Sequence, residues 1–500
     1  MKEKLEQLKT LLARVADLEN AAAVLDWDQE TYMPEGGVQA RADQLSTLQG
    51  LAHEYFVDEE VGTLLHDLAA HLDELDYDSD EASLIRVSLR DYEKQVKVPG
   101  DLVREISRTS ALGTQAWREA REKDDFSLFQ PYLEKMVELK IRWAECFKPY
   151  DNIYDPLLDD FEPGMTYEQI SAVFAELKPP LVELVRAISQ KRDAVDDSVL
   201  KAHFDKDAQM AFGRAVAEQL GYDLTRGRID ISAHPFTTNF WRGDVRITTR
   251  LDENDVVSGL MGTIHEAGHA IYEQNTSPTL YRTGLDRGAS MAVHESQSRF
   301  YENVIGRSRP FWRHFYPRLQ EAFPHFKSLD FEAFYRALNK SEPSLIRVEA
   351  DEVTYGLHII LRFELENDLF NGRVSVADLP EVWNARMEEY LGLVPPTDRE
   401  GVLQDIHWSQ GLMGYFPDYL LGSVFSVQLW EQMQKEMPGV VEQIEAGQFE
   451  DILAWLREKI HRHGRKFTLP EITARVTGGP LRWEPYMDYL RTKYGEIYGL

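Results

Sequence analysis

The stretch Thr263-Ile264-His265-Glu266-Ala267-Gly268-His269 decides how the rest of this chain is read. It spells H-E-x-x-H, two histidines one helical turn apart. On an α-helix, residues i and i+4 project from the same face, so both imidazoles can reach one metal ion. Glu266 points to the side of that face, where it can touch a metal-bound water without being a ligand. Two imidazoles and an adjacent carboxylate base are the parts of a zinc peptidase. The flanking residues support a helix. Val257, Leu260, Met261, Ile264 and Ile271 fall at helical spacing, and Asp255 is placed to cap the start. The plain alternative is an ordinary helix whose histidines make core hydrogen bonds.

Two histidines do not complete a catalytic site, because catalytic zinc takes three protein ligands and keeps a position for water. The next candidate is Glu295, in Val293-His294-Glu295-Ser296-Gln297. It falls on a second expected helix, Ala289 to Ile305, after a linker rich in turn formers. His294 is the rival ligand. Neighbouring helical positions diverge by about 100°, so one of the two faces the metal. His/His/Glu is a known catalytic zinc set, which favours Glu295 and leaves His294 behind the ligands or on the substrate side.

Composition narrows the class. The chain has 500 residues, 43% of them hydrophobic, and shows no Ser/Gly linker, repeat or low-complexity tract. One catalytic domain spanning 1–500 with a central groove is expected. A net charge of −30 argues against nucleic acid as a partner. The one cysteine, Cys146, excludes an intrachain disulfide and fits a reducing compartment. Met1 to Gln7 opens an amphipathic helix rather than a signal peptide, and no apolar run reaches the length of a membrane span. A soluble cytoplasmic protein is expected.

Along the chain, Leu5, Leu8, Leu12, Val15 and Leu18 form a helical seam over residues 2–25. It reads first as packing on its own chain and second as a dimer contact. Leu25 to Gly37 should break that helix, with Trp27 and Tyr32 buried. Residues 38–225 read as helices, among them 40–54, 80–96, 102–121, 127–147, 166–191 and 207–220. The texture changes at Gly227. Residues 228–232, 236–241 and 244–249 alternate with period two, the pattern of short antiparallel strands. Val245, Ile247 and Thr249 share one face, and Asp244, Arg246 and Thr248 the other. A polar strand face before the histidine helix suits a substrate shelf. Arg246 reads equally as a substrate contact and as an ion pair with Asp244.

After Glu295 the chain returns to helix. Leu345 should open a long helix ending near Gly372, with Arg347, Asp351, Tyr355 and His358 on one face. An arginine held by a carboxylate one turn away is preorganised to grip another carboxylate. Gly401 to Tyr419 is a non-periodic stretch containing His407 and Tyr415, donors that could stabilise a tetrahedral oxyanion. For His407 the alternative is a buried structural histidine.

Five segments agree on one family. They are Asp244-Val245-Arg246-Ile247-Thr248, His265-Glu266-Ala267-Gly268-His269, His294-Glu295-Ser296-Gln297, Ile346 to Asp351 (I-R-x-x-A-D) and Gly401 to Trp408 (G-x-x-Q-D-x-H-W). In these motifs, in this order, the chain resembles the carboxypeptidase Taq family of metallocarboxypeptidases along essentially its whole length. The resemblance implies an all-α fold with a small antiparallel sheet beside an active-site groove, similar to neurolysin and angiotensin-converting enzyme. It implies His265, His269 and Glu295 as metal ligands, Glu266 as general base, and Arg347 as the clamp for the substrate's terminal carboxylate. His234, Arg246, His407 and Tyr415 would contact substrate or oxyanion. Zinc is the implied cofactor, with cobalt also accepted. The implied activity removes single residues from peptide C-termini with broad specificity, sparing proline, in a homodimer. The rival functions are an endopeptidase or dipeptidyl-carboxypeptidase on the same scaffold, and a non-catalytic peptide-binding protein with a structural metal.

Overall fold

The computed structural model describes residues 1–500. Twenty α-helices and one three-stranded sheet make up its regular structure, so the fold is all-α with a small sheet. The chain forms two compact units, each assembled from three separated stretches. The first takes residues 1–96, 197–338 and 429–478; the second takes 97–196, 339–428 and 479–500. Because each unit is discontinuous, no composition change in the sequence marks a boundary.

In the first unit, helix α1 (Lys2–Thr31) carries the leucine seam. Leu5, Leu8 and Leu12 pack against Val61, Leu64, Leu65 and Leu68 and against Leu84, Ile85 and Val87. The seam therefore serves its own chain. The helix runs six residues beyond the expected break at Leu25, because Trp27 is buried and continues the packed face. Tyr32 is not buried as expected: it is 59% exposed, with its hydroxyl on Asp230.

The sheet comprises β1 (Ile229–Ile231), β2 (Thr237–Trp241) and β3 (Asp244–Thr249), in the order β1-β3-β2. β2 and β3 form the expected antiparallel hairpin around Arg242-Gly243, but β1 pairs with β3 in parallel. The connection from Ser232 to Phe236 carries the chain past β3 to its far edge. Strands one and three then run the same way, which alternation alone cannot reveal. Val245 and Ile247 are fully buried and Thr249 nearly so, as the period-two reading requires. Thr248, expected on the polar face, is fully buried too, its hydroxyl accepting from the Ser232 hydroxyl and the Phe236 amide.

Helix α2 (Val256–Gln274) follows the sheet, and Asp255 caps it by accepting from the Val257 and Ser258 amides. Helix α3 (Met291–Arg299) lies against α2 and continues as a π-helical segment from Phe300 to Ile305. The two helices touch at Gly268. A Cβ there would sit 2.7 Å from the Gln297 carbonyl oxygen and 2.8 Å from the Ser298 Cα, both backbone atoms. Only glycine allows that approach.

In the second unit, the expected long helix from Leu345 does not form. Arg347–Glu349 is one 3₁₀ turn, Ala350 is extended, and helix α4 runs from Tyr355 to Phe370. Asp351 explains the late start. Its carboxylate accepts from the Val353 and Thr354 amides, the Thr354 hydroxyl and the Glu342 amide. It is used locally as a turn former and does not pair with Arg347.

Gly268→Ala is expected to destabilise the protein by about 1–3 kcal/mol, since a backbone must give way to the new methyl. Gly262→Ala on the same helix meets nothing closer than Pro235 Cγ at 4.0 Å, and should be neutral or stabilising by up to about 1 kcal/mol. Denaturant unfolding of both variants checks the contrast.

Candidate active site

α2 projects His265 and His269 from one face, and α3 projects Glu295 toward them. Glu295 Oε2 lies 3.7 Å from His265 Nε2 and 3.6 Å from His269 Nε2. One ligand atom from each residue falls within a 4.8 Å set. A tetrahedral ion with bonds of about 2.1 Å separates its ligand atoms by about 3.4 Å, so these three residues fit a metal. The donor set of two imidazoles and one carboxylate, with no fourth protein ligand in the cluster, is of the open, catalytic kind.

The other atoms of the three residues are already engaged. Glu295 Oε1 accepts from Arg299 Nε at 2.6 Å, and Oε2, which faces the histidines, accepts from the Ser298 hydroxyl at 3.0 Å. His265 Nδ1 lies 2.8 Å from Glu302 Oε2, on the π-helical segment. His269 Nδ1 lies 2.6 Å from His294 Nδ1, whose Nε2 is 2.7 Å from Glu273 Oε1. Glu273 also takes the Asn239 amide from β2 and the Gly288 backbone N–H. With each Nδ1 occupied, both Nε2 atoms are directed at the same point. Partners of this kind fix the ring and the tautomer of a metal-binding histidine.

The two histidines differ electrostatically: burial, with His294, His265 and Arg299 nearby, holds the pKa of His269 well below the ordinary value, so its ring is neutral. Burial opposes charge on His265, but Glu295, Glu302 and Glu266 outweigh it and lift its pKa to about 9. Burial also opposes charge on Glu302, yet Arg299, His265 and Arg307 hold its carboxyl down at about 2. Glu266 is buried beside the pair, with Oε2 accepting from the Thr237 hydroxyl of β2 at 2.6 Å. Burial raises its pKa above the usual carboxylate value.

The remaining expected residues fall as follows. His294 stands behind His269, outside the converging ligand atoms. Arg246 makes a two-point ion pair with Asp244, at 2.9 and 2.8 Å, and its guanidinium lies over the rings of Trp27 and Phe240. The ion pair with Asp244 is formed. His234 is exposed and its ring makes no hydrogen bond; its carbonyl accepts from the Ser232 hydroxyl.

In the second unit, Arg347 is 5% exposed. Its carboxylate partner is Asp405 and not Asp351: Nε and Nη2 both donate to Asp405 Oδ1, at 3.0 and 2.8 Å. Nη1 donates to the Tyr355 hydroxyl at 3.0 Å. Burial works against ionised Asp405, but Arg362 and Arg347 outweigh it and keep its carboxyl far below the ordinary range. His407 opens a 3₁₀ turn, with Nε2 3.4 Å from the Tyr419 hydroxyl and Nδ1 buried without a partner. Burial lowers its pKa to about 4, so the ring is neutral. Tyr415 packs 5.6 Å from it, centroid to centroid, and edge-on to Phe161.

Sequence reading missed Arg299, Glu302, Glu273, Thr237 and Asp405. Arg299 and Glu302 follow Glu295 at i+4 and i+7, and Glu273 follows His269 at i+4, spacings that could have found them. Thr237 acts through a tertiary contact and carries no local signal, while Asp405 stands in the Gly401–Trp408 motif but its pairing with Arg347 is tertiary.

Comparison with known proteins agrees with this geometry. The family model described as carboxypeptidase Taq (M32) metallopeptidase matches residues 7–494. Carboxypeptidase 1 of Bacillus subtilis is 42% identical, over 98% of this chain and 97% of its own. Thermostable carboxypeptidase 1 of Thermus thermophilus is 39% identical, over 97% of each. The crystal structure of the M32 carboxypeptidase from Deinococcus radiodurans superposes with a TM-score of 0.96 at 41% identity, covering 100% of both chains. A matched length of this extent, with the His/His/Glu cluster on two adjoining helices, shows that the chain belongs to the carboxypeptidase Taq family of metallopeptidases and is a peptide-hydrolysing carboxypeptidase.

Proposed function

We propose that this enzyme is a zinc-dependent exopeptidase that releases single residues from peptide C-termini with broad specificity, sparing proline, and that cobalt also supports it. The observation that carries the reading is the convergence of His265 Nε2, His269 Nε2 and Glu295 Oε2 beside the buried Glu266. These three residues hold the ion. When bound, it supplies Lewis acidity, which activates water and polarises the scissile carbonyl.

Glu266 takes a proton from the attacking water and passes it to the leaving amine. Thr237 anchors one carboxylate oxygen of Glu266, leaving the other for the proton. His407, neutral and able to donate an N–H, and Tyr415 serve as donors to the oxyanion. Arg347 grips the substrate's terminal carboxylate through its planar fork. His234 and Arg246 contact the peptide further from the reacting bond, where β2 offers an edge for backbone pairing.

We also place the enzyme in the cytoplasm as a homodimer. No helix is long and apolar enough to cross a membrane. Helix Val38–Phe56 buries only Ala52 and leaves Leu51 and Tyr55, one turn apart, exposed on a surface suited to a second copy.

Glu266→Gln should lower kcat by roughly 10²–10⁴-fold while metal content, read by elemental analysis, stays at the parent level. A chelator should abolish activity, and zinc or cobalt should restore it. Glu302→Gln should weaken metal affinity roughly 10–100-fold in chelator competition, since His265 loses the carboxylate that orients it. Product analysis by mass spectrometry should show single-residue release from free peptides and none from C-terminally amidated ones; internal cleavage of the amides would establish an endopeptidase instead.

A further inference from the structure

Arg347 is only one member of a larger buried assembly. Asp405 uses Oδ1 for Arg347 and Oδ2 for Arg362, whose Nε donates at 2.7 Å. Arg362 is fully buried, with its guanidinium 4.6 Å from the Trp383 ring centroid, and it donates also to the His358 carbonyl. Gln404 completes the frame. Its Oε1 accepts from the Arg347 backbone N–H and from Arg362 Nη2, each at 2.8 Å. Its Nε2 donates to the carbonyls of Leu345 and Glu400. Glu366, one turn beyond Arg362, is turned away to Tyr154, Trp408 and the Gly414 amide.

Two consequences follow from counting charges and donors. Two guanidiniums share a single carboxylate, so the groups in direct contact carry one positive charge in excess. A buried, uncompensated charge is costly, and the cost is relieved when an anion arrives. Arg347 has five N–H donors. Asp405 and Tyr355 take three of them, leaving one on Nη1 and one on Nη2. The Nη1/Nη2 edge is one that matches a carboxylate in two-point geometry. The rings of Tyr355, Phe416 and Tyr419 stand around the guanidinium at 5.1–5.9 Å and restrict its rotation.

We propose that Asp405, itself fixed by Arg362 and Gln404, is a positioning residue that holds Arg347 with its Nη1/Nη2 edge presented to the peptide's terminal carboxylate. This rests on the reading of Arg347 as the carboxylate clamp. Asp405 touches no substrate. It turns Arg347 and returns only half of the charge that the two arginines bring.

A double-mutant cycle tests the assignment. Asp405→Asn, Arg347→Met and the double variant are compared with the parent, as KM and kcat on a blocked dipeptide with a free carboxylate. Arg347→Met should raise KM the most. Asp405→Asn should raise KM about tenfold, with a smaller change in kcat. The double variant should show the KM of Arg347→Met alone, because Asp405 has nothing left to orient. Effects of the two substitutions that multiply overturn the proposal, as does an Asp405→Asn variant with a lower unfolding temperature and an unchanged KM. An Arg347→Met variant with the parent KM refutes the clamp reading itself, whatever Asp405 does. Should Asp405→Asn fail to fold, Tyr355→Phe enters the same cycle. It removes only the hydroxyl on Nη1, and its KM rise should likewise vanish in the Arg347→Met background.

Discussion

Everything in the His265/His269/Glu295 cluster depends on how closely two helix backbones approach. Gly268 lies between His265 and His269 of α2 and faces the backbone of α3 at Gln297 and Ser298. The side chains of His265, His269 and Glu295 have fixed lengths. Their terminal atoms meet within bonding range of one ion only if the helix axes are near enough. Glycine removes the one atom that would hold the axes apart, and the ligand geometry follows from that contact.

Around this contact the protein uses one device repeatedly. Each group that must point in one direction has its other polar atoms occupied. Arg299 takes the rear oxygen of Glu295, Glu302 takes the rear nitrogen of His265, and His294 does the same for His269. Thr237 holds Glu266, and Asp405 holds Arg347. Fixing a side chain by its far end lowers the entropy lost when the near end engages a ligand.

Much of this was legible in the sequence because it is local. H-E-x-x-H is an i, i+4 pattern, and the apolar residues around it have the same period, so helix and ligands are read together. The helices at 80–96, 166–191 and 207–220 were visible for the same reason and fall at Asp80–Lys97, Tyr167–Ser189 and Lys206–Leu220. What failed was non-local. Asp351 is at helical spacing from Arg347, but its oxygens cap a turn instead, and the real partner is 58 residues away. No periodicity encodes that distance. The edge of the sheet taken by β1 was equally hidden, because alternation fixes the faces of a strand and says nothing of its neighbours.

The discontinuity of the first unit bears on how the enzyme is made. His461, in the third of its stretches, is hydrogen-bonded at 2.9 Å to Gln297 of α3 and packs against Tyr272 of α2. A chain emerging from the ribosome delivers the histidine helix near its midpoint, but the support behind that helix arrives almost two hundred residues later. Until then the apolar surface of α2 has no complete cover, and such nascent species depend on chaperones to avoid aggregation. The histidine helix is therefore fully packed only when the chain is nearly finished.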